Sequence, residues 1–360
     1  MSQPSSAVIA ATVAAYGGSL VAGFAASALH VPLPWMIGPL LFTTAFGFVR
    51  SDAIIPDSSR PLGQMVVAAV VGLAFTPQAL AAIAEHLLAM VVVSLGTIVA
   101  GCAAAVVLRR FSRIGTMTAL IASIPGGPAE MSALAQRNGV PAGPVVVVQT
   151  MRIAFLVLIV PPVVVALTGA PDNTLLIAEA AGGSLSGVLL LGALAVAGGV
   201  LFRLLRVNSP FFLGSLAFSA AASAFELPVS MPPFWLLAAA QILLGTWLGK
   251  VISRQASQSG RAFILSAFAS TAVLIGLTAL LALAVTATAG VSWQTMVLAT
   301  APGSVTEMAL TARLLHQDVA LVTAFQVARI FVVLMFAPLV FGLITGFTRR
   351  RGSRRDDQDQ

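Results

Sequence analysis

Apolar residues run along this chain in long uncharged blocks separated by short polar turns. Twelve blocks stand out: 7–29, 33–49, 62–80, 86–108, 115–135 and 143–168, then 178–202, 210–225, 233–249, 262–285, 291–312 and 319–347. Most approach the roughly 20 residues that an α-helix needs to cross a bilayer. The short alternating strands of a membrane β-barrel are missing from the pattern. The pattern predicts an all-α, polytopic membrane protein. The first block follows MSQPSSAVIA, which lacks the basic start of a signal peptide, so it reads as a retained first helix.

Composition agrees. Of the 360 residues, 58% are apolar and only 9% charged, against about 25% charged in an ordinary soluble domain. A soluble enzyme is thereby excluded. The net charge of +7 raises the question of nucleic acid, but the distribution answers it. Five of the nineteen basic residues form the tail Arg349, Arg350, Arg351, Arg354 and Arg355, and most others lie in short loops. That is how topology-setting charges are placed, and no direct nucleic-acid binding is expected. Cys102 is the single cysteine, so neither a disulfide within the chain nor a thiolate metal site can be built.

The blocks repeat. At a constant offset of 177, residues 119–163 and 296–340 share 12 identities in 45 positions, including Pro125/Pro302, Gly126/Gly303, Glu130/Glu307, Gln149/Gln326 and Arg152/Arg329. A second echo pairs Pro34-Trp-Met-Ile-Gly38 with Pro210-Phe-Phe-Leu-Gly214 at offset 176. The chain divides into a first repeat, 1–170, a second, 174–348, and a polar tail, 349–360. If all twelve blocks cross, ten loop or tail Lys/Arg fall inside and seven outside. If the two Pro-Gly blocks enter and leave on one face, the count becomes sixteen against one, Arg313. The positive-inside rule favours the second arrangement: ten spanning helices, two re-entrant or broken segments, and a second repeat inverted relative to the first. Both termini then face the cytoplasm.

The candidate chemistry sits in the repeated polar set. Gly126 and Gly127 with Pro125 and Pro128, and Gly303 and Ser304 after Pro302, should break a helix in each repeat. A new helix is expected to start near Pro128, its free N–H groups suiting an anion. Glu130 and Glu307 are carboxylates in uncharged surroundings, which in a membrane suggests a site. Each is open to three roles: proton carrier, cation ligand such as for Na⁺, or structural partner of an arginine. Arg152 and Arg329 lie inside apolar helices, with Gln149 and Gln326 three residues earlier on the same face. Such a face can bind a carboxylate or phosphate solute, or clamp Glu130 and Glu307. Ser123, Thr300 and Thr306 add hydroxyls that read equally well as helix packing. Trp35, Trp235, Trp247 and Trp293 read as interface anchors or packing. His30, His86 and His316 are too scattered to hold a metal, and no resident cofactor or catalytic group is expected.

The two copies of P-G-G/S-x-x-E-M, the following Q-x-x-R and the P-W-M-I-G-P-L-L element resemble the bacterial AbrB-duplication membrane family over about 10–345. The resemblance implies an integral inner-membrane protein with two copies of one domain. Its labels imply either an influence on gene expression or an ammonia monooxygenase. This chain has no soluble helix-turn-helix segment and no metal ligands to match them. Paired Pro/Gly-interrupted segments in inverted halves mark the binding site of many secondary transporters. The leading expectation is a transporter or exporter of a small polar or anionic solute, coupled to H⁺ or Na⁺. The alternative is a membrane-resident regulator acting indirectly, and the third a monooxygenase subunit. The partners expected are the bilayer and the solute, with homo-oligomerisation open.

Overall fold

The computed structural model describes residues 6–50, 53–169 and 183–356, and every element among them is helical. In the first repeat these are α1 (Ser6–Ala28), α2 (Pro34–Val49), α3 (Ser59–Gly72), α4 (Pro77–Glu85), α5 (Leu87–Ser112), α6 (Thr116–Ser123), α7 (Pro128–Arg137) and α8 (Ala142–Thr168). In the second they are α9 (Leu185–Leu204), α10 (Pro210–Ala224), α11 (Phe234–Gln258), α12 (Arg261–Ala289), α13 (Trp293–Thr300), α14 (Val305–Leu314) and α15 (Val319–Asp356). The boundary expected at 170–174 lies outside the described residues, and α15 runs on into the segment read as a separate tail.

Of the ten expected spans, α1, α5, α8, α9, α11, α12 and α15 each contain a stretch long and apolar enough to cross a membrane. The block 62–80 is not one straight rod. It is divided between α3 and α4, which meet at 90°. Thr76 explains the break: its hydroxyl accepts from Ala79 N–H, and Pro77 occupies the first turn, so a new helix has to begin there. The helices α2 and α10 have 16 and 15 residues, about 24 Å and 22 Å at 1.5 Å per residue. Both fall short of the roughly 30 Å hydrocarbon core.

The repeats interlock. Helix α2 packs on α11, and its counterpart α10 packs on α3; α3 and α11 also meet each other, as do α5 and α12. Small residues allow this. Between helices that gain little from hydrophobicity in lipid, close backbone approach supplies the attraction. A Cβ on Gly38 would run into the Ala22 carbonyl of α1, and one on Gly214 into the Gly198 carbonyl of α9. This explains the Pro-x-x-x-Gly echo. In both copies a residue with positive φ (Leu33, 50°; Ser209, 50°) turns the chain, proline opens the helix, and glycine one turn on meets the preceding helix. Gly245 and Gly249 of α11 meet the Met36 and Leu40 carbonyls of α2 in the same way.

Candidate solute site

The two Pro-Gly blocks are broken helices. Helix α6 stops at Ser123 and α7 starts at Pro128; α13 stops at Thr300 and α14 starts at Val305, each boundary shifted by 177. Each break contains the same three-residue turn centred on proline. Gly126 N–H donates to Ile124 C=O at 2.9 Å, and Gly303 N–H to Ala301 C=O at 2.8 Å. The expected restart at Pro128 holds, with Gly127 as the residue that precedes the first helical turn.

A broken helix leaves carbonyls without partners, which is costly away from water. The Gln-Arg faces of α8 and α15 supply the missing donors. Gln149 Nε2 donates to the carbonyls of Ile121 (3.2 Å), Ala122 (3.0 Å) and Ile124 (2.9 Å). Arg152 reaches one step further, to Gly126 C=O at 2.9 Å, and also donates to Gln149 Oε1. Gln326 Nε2 donates to Leu298 C=O (2.7 Å) and Ala301 C=O (3.0 Å). Arg329 donates to Ala301 C=O and to Gly303 C=O (2.8 Å). The acceptors Ile121, Ile124 and Gly126 of the first break thus correspond to Leu298, Ala301 and Gly303 of the second. All four polar side chains are buried, with Arg152 2% and Arg329 4% exposed. Neither arginine hydrogen-bonds to a glutamate. Their guanidinium groups are near enough to feel each other's charge.

The carboxylates sit at the other end of each break, in the first turns of α7 and α14. Glu130 folds back over Gly127, so that a Cβ on Gly127 would overlap its carboxylate. Where the second copy has Ser304, that space holds a side chain, placed near the Glu307 carboxylate. Glu307 is buried, and its Oε2 has no hydrogen-bond partner; Glu130 is half-buried. Ser304-Val-Thr-Glu307 has the spacing of a capping box, but the serine hydroxyl does not cap a helix N–H.

Both breaks line one cavity of about 250 Å³. Its wall includes Gly126, Gly127, Glu130 and Arg152 from the first repeat and Gly303, Ser304, Glu307 and Arg329 from the second. Gln149 and Gln326 stand behind it, bonded to the backbone. A residue that sequence reasoning counted as a loop charge joins the wall: Arg60, in the first turn of α3. Its guanidinium lies 4.8 Å above the centre of the Trp247 ring and interacts electrostatically with both Glu307 and Glu130. Nothing in the sequence around Arg60 separates it from a topology charge. Trp247, read as an anchor or packing residue, is its platform. Trp247 and Val251 also border a second cavity of about 600 Å³ that reaches Asp57, Lys250 and Arg254. Of the hydroxyls noted in the sequence, Ser123 and Thr300 face neighbouring helices, at Ser270 and at the Thr278 carbonyl. No cluster of three or more His, Cys, Asp or Glu residues able to hold a metal occurs among the described residues.

Comparison with known proteins places this architecture. Residues 35–345 match the family model described as "Transition state regulatory protein AbrB". The "Uncharacterized protein YhjN" of Bacillus subtilis (strain 168) is 28% identical over 354 residues, covering 91% of this chain and 91% of its own. The "Putative regulator AbrB" of Escherichia coli (strain K12) is 27% identical over 346 residues, covering 93% of this chain and 97% of its own. A match running from the first Pro-x-x-x-Gly element through both broken helices and their Gln-Arg partners is a match to the whole architecture, and the chain belongs to the AbrB family.

Proposed function

We propose that the protein is a secondary transporter or exporter of a small anionic solute, bound where the two broken helices meet. The observation that carries this reading is the convergence of both breaks, with Glu130, Glu307, Arg60, Arg152 and Arg329, on one cavity wall. Irregular backbone at membrane depth is tolerated where it lines a cavity, and paired interruptions in two halves are the mark of a transport site. Three arginines against two glutamates leave the wall net positive. The positive ends of α7 and α14 add to that field, because the free N–H groups of a first helical turn favour an anion. A volume of about 250 Å³ lies just below the roughly 300–1,000 Å³ of drug-sized pockets, which suits a small metabolite. Arg60 on Trp247 is placed to meet a solute arriving from the second cavity, and Glu130 and Glu307 are the groups for a coupling proton. The charge distribution supports an inner-membrane setting with both termini in the cytoplasm.

The test is thermal unfolding of the purified chain against a panel of short mono- and dicarboxylates and inorganic phosphate. A ligand at about 100 times its dissociation constant adds roughly 2.7 kcal/mol, a rise lost in Arg60→Ala and Glu130→Gln. Flux of that solute into proteoliposomes then follows. Silence across the panel from well-folded protein would sink the anion reading. It would favour the second one, a membrane-resident regulator, for which the name of the E. coli relative speaks.

A further inference from the structure

Each break ends a helix whose C-terminal carbonyls carry about half a negative charge. In carriers built on broken helices such carbonyls coordinate the coupling cation. Here they are occupied by the protein itself. The carbonyls of Ile121, Ala122, Ile124 and Gly126 all accept from Gln149 or Arg152, and those of Leu298, Ala301 and Gly303 from Gln326 or Arg329. Hydrogen bonding alone does not require an arginine for this. Gln149 already serves three carbonyls, and a neutral donor would serve Gly126 without burying a charge. A guanidinium inside the membrane is expensive unless its charge is matched. Neither arginine pairs with a glutamate, and Arg152 Nε and Nη1 and Arg329 Nε have no hydrogen-bond partner. The unwound carbonyls of the break, Gly126 for Arg152 and Ala301 and Gly303 for Arg329, are therefore what the charge answers.

We propose that Arg152 and Arg329 are tethered cations, each standing in its break where a broken-helix carrier would bind sodium. An arginine does not lose its proton in a protein, so these cations neither leave nor exchange, and neither break is a sodium site. The consequence for coupling rests on the transport reading: a cycle without sodium leaves the exchangeable charge to Glu130 and Glu307. The tethered-cation assignment itself stands without that reading.

The experiment is thermal unfolding of the purified full chain in sodium, potassium and choline chloride at equal ionic strength. The wild-type midpoints should coincide in all three salts. Arg329→Gln, which keeps a donor and loses the charge, should unfold at a lower temperature than Arg329→Lys, which keeps the charge and loses the fork. In Arg329→Ala, millimolar guanidinium chloride, far below denaturing concentration, should raise the midpoint in a saturable way that choline does not. A saturable rise specific to sodium in the wild type overturns the proposal. So does an Arg329→Gln variant as stable as the wild type, or an Arg329→Ala variant that folds and ignores guanidinium. If the variants do not fold, the wild-type salt comparison decides alone. A chain that moves none of the solutes tried still gives these salt results, so the two readings fail separately.

Discussion

The first and second breaks are built on one plan and finished differently. In the first, Glu130 is half-buried and lies over a bare Gly127, and Arg152 divides its bonds between one carbonyl and Gln149. In the second, Glu307 is buried beside Ser304, and Arg329 donates to two carbonyls. Duplication supplied two equivalent breaks. The two differ in the residue at 127 and 304, glycine against serine, and in the second acceptor of the guanidinium, a side-chain amide against a backbone carbonyl.

The comparison is tested most severely at the arginines. Arg329→Ala leaves the Gly303 carbonyl without a donor and takes one of three donors from Ala301. At about 1–3 kcal/mol for each buried acceptor left unpaired, it should be the milder of the two truncations. Arg152→Ala leaves both the Gly126 carbonyl and the buried Gln149 Oε1 without a donor and should cost more, about 2–6 kcal/mol. Chemical denaturation of the two variants side by side gives the ranking, and equal losses would mean that the two breaks are held alike.

A smaller effect should follow from exchanging the residue that differs. Gly127→Ser puts a side chain where the Glu130 carboxylate now lies, so that carboxylate must swing into the cavity. Ser304→Gly removes the side chain beside Glu307 and gives its carboxylate the room that Glu130 has over Gly127. Reaction with an apolar carbodiimide, read residue by residue by mass spectrometry, should modify Glu130 before Glu307 in the wild type. Each exchange should speed labelling of the glutamate in its own break. Labelling rates that ignore both substitutions would show that residue 127 and its counterpart do not position the carboxylates. The smallest change is expected outside the breaks. Trp247→Phe keeps a ring under Arg60 but a weaker one, and cation–π contacts are worth about 0.5–2 kcal/mol in all. A slight weakening of ligand affinity with unchanged stability of the fold is the expected result, measured by the same thermal-shift titration.

Much of this was legible because lipid restricts what a chain can do. A helix is the one way for a lone apolar block to satisfy its backbone inside a bilayer, so the blocks became helices, though 233–249 and 319–347 each run nine residues further and three blocks are split in two. Proline and glycine are local breakers, and the breaks came where they stand, with α7 starting at Pro128. The 90° turn between α3 and α4 was also written in the chain, as Thr76-Pro77, but the continuous hydrophobicity of 62–80 obscured it. Arg60 was not legible. One residue before Pro61 and near the edge of a block, it has the surroundings of a topology charge, and only the packing of α3 against α11 brings it over Trp247.

The sequence by itself determined the helical membrane class, the duplication, the positions of both breaks and which polar residues recur in them. Hydrophobic length, helix-breaking residues and internal repetition are properties of the chain alone. What the arginines and glutamines grip was decided by tertiary structure. Their acceptors are backbone carbonyls, which every residue possesses and no sequence pattern marks. The meeting of both breaks in one cavity was decided there too, because it depends on how the two interlocking repeats fit together.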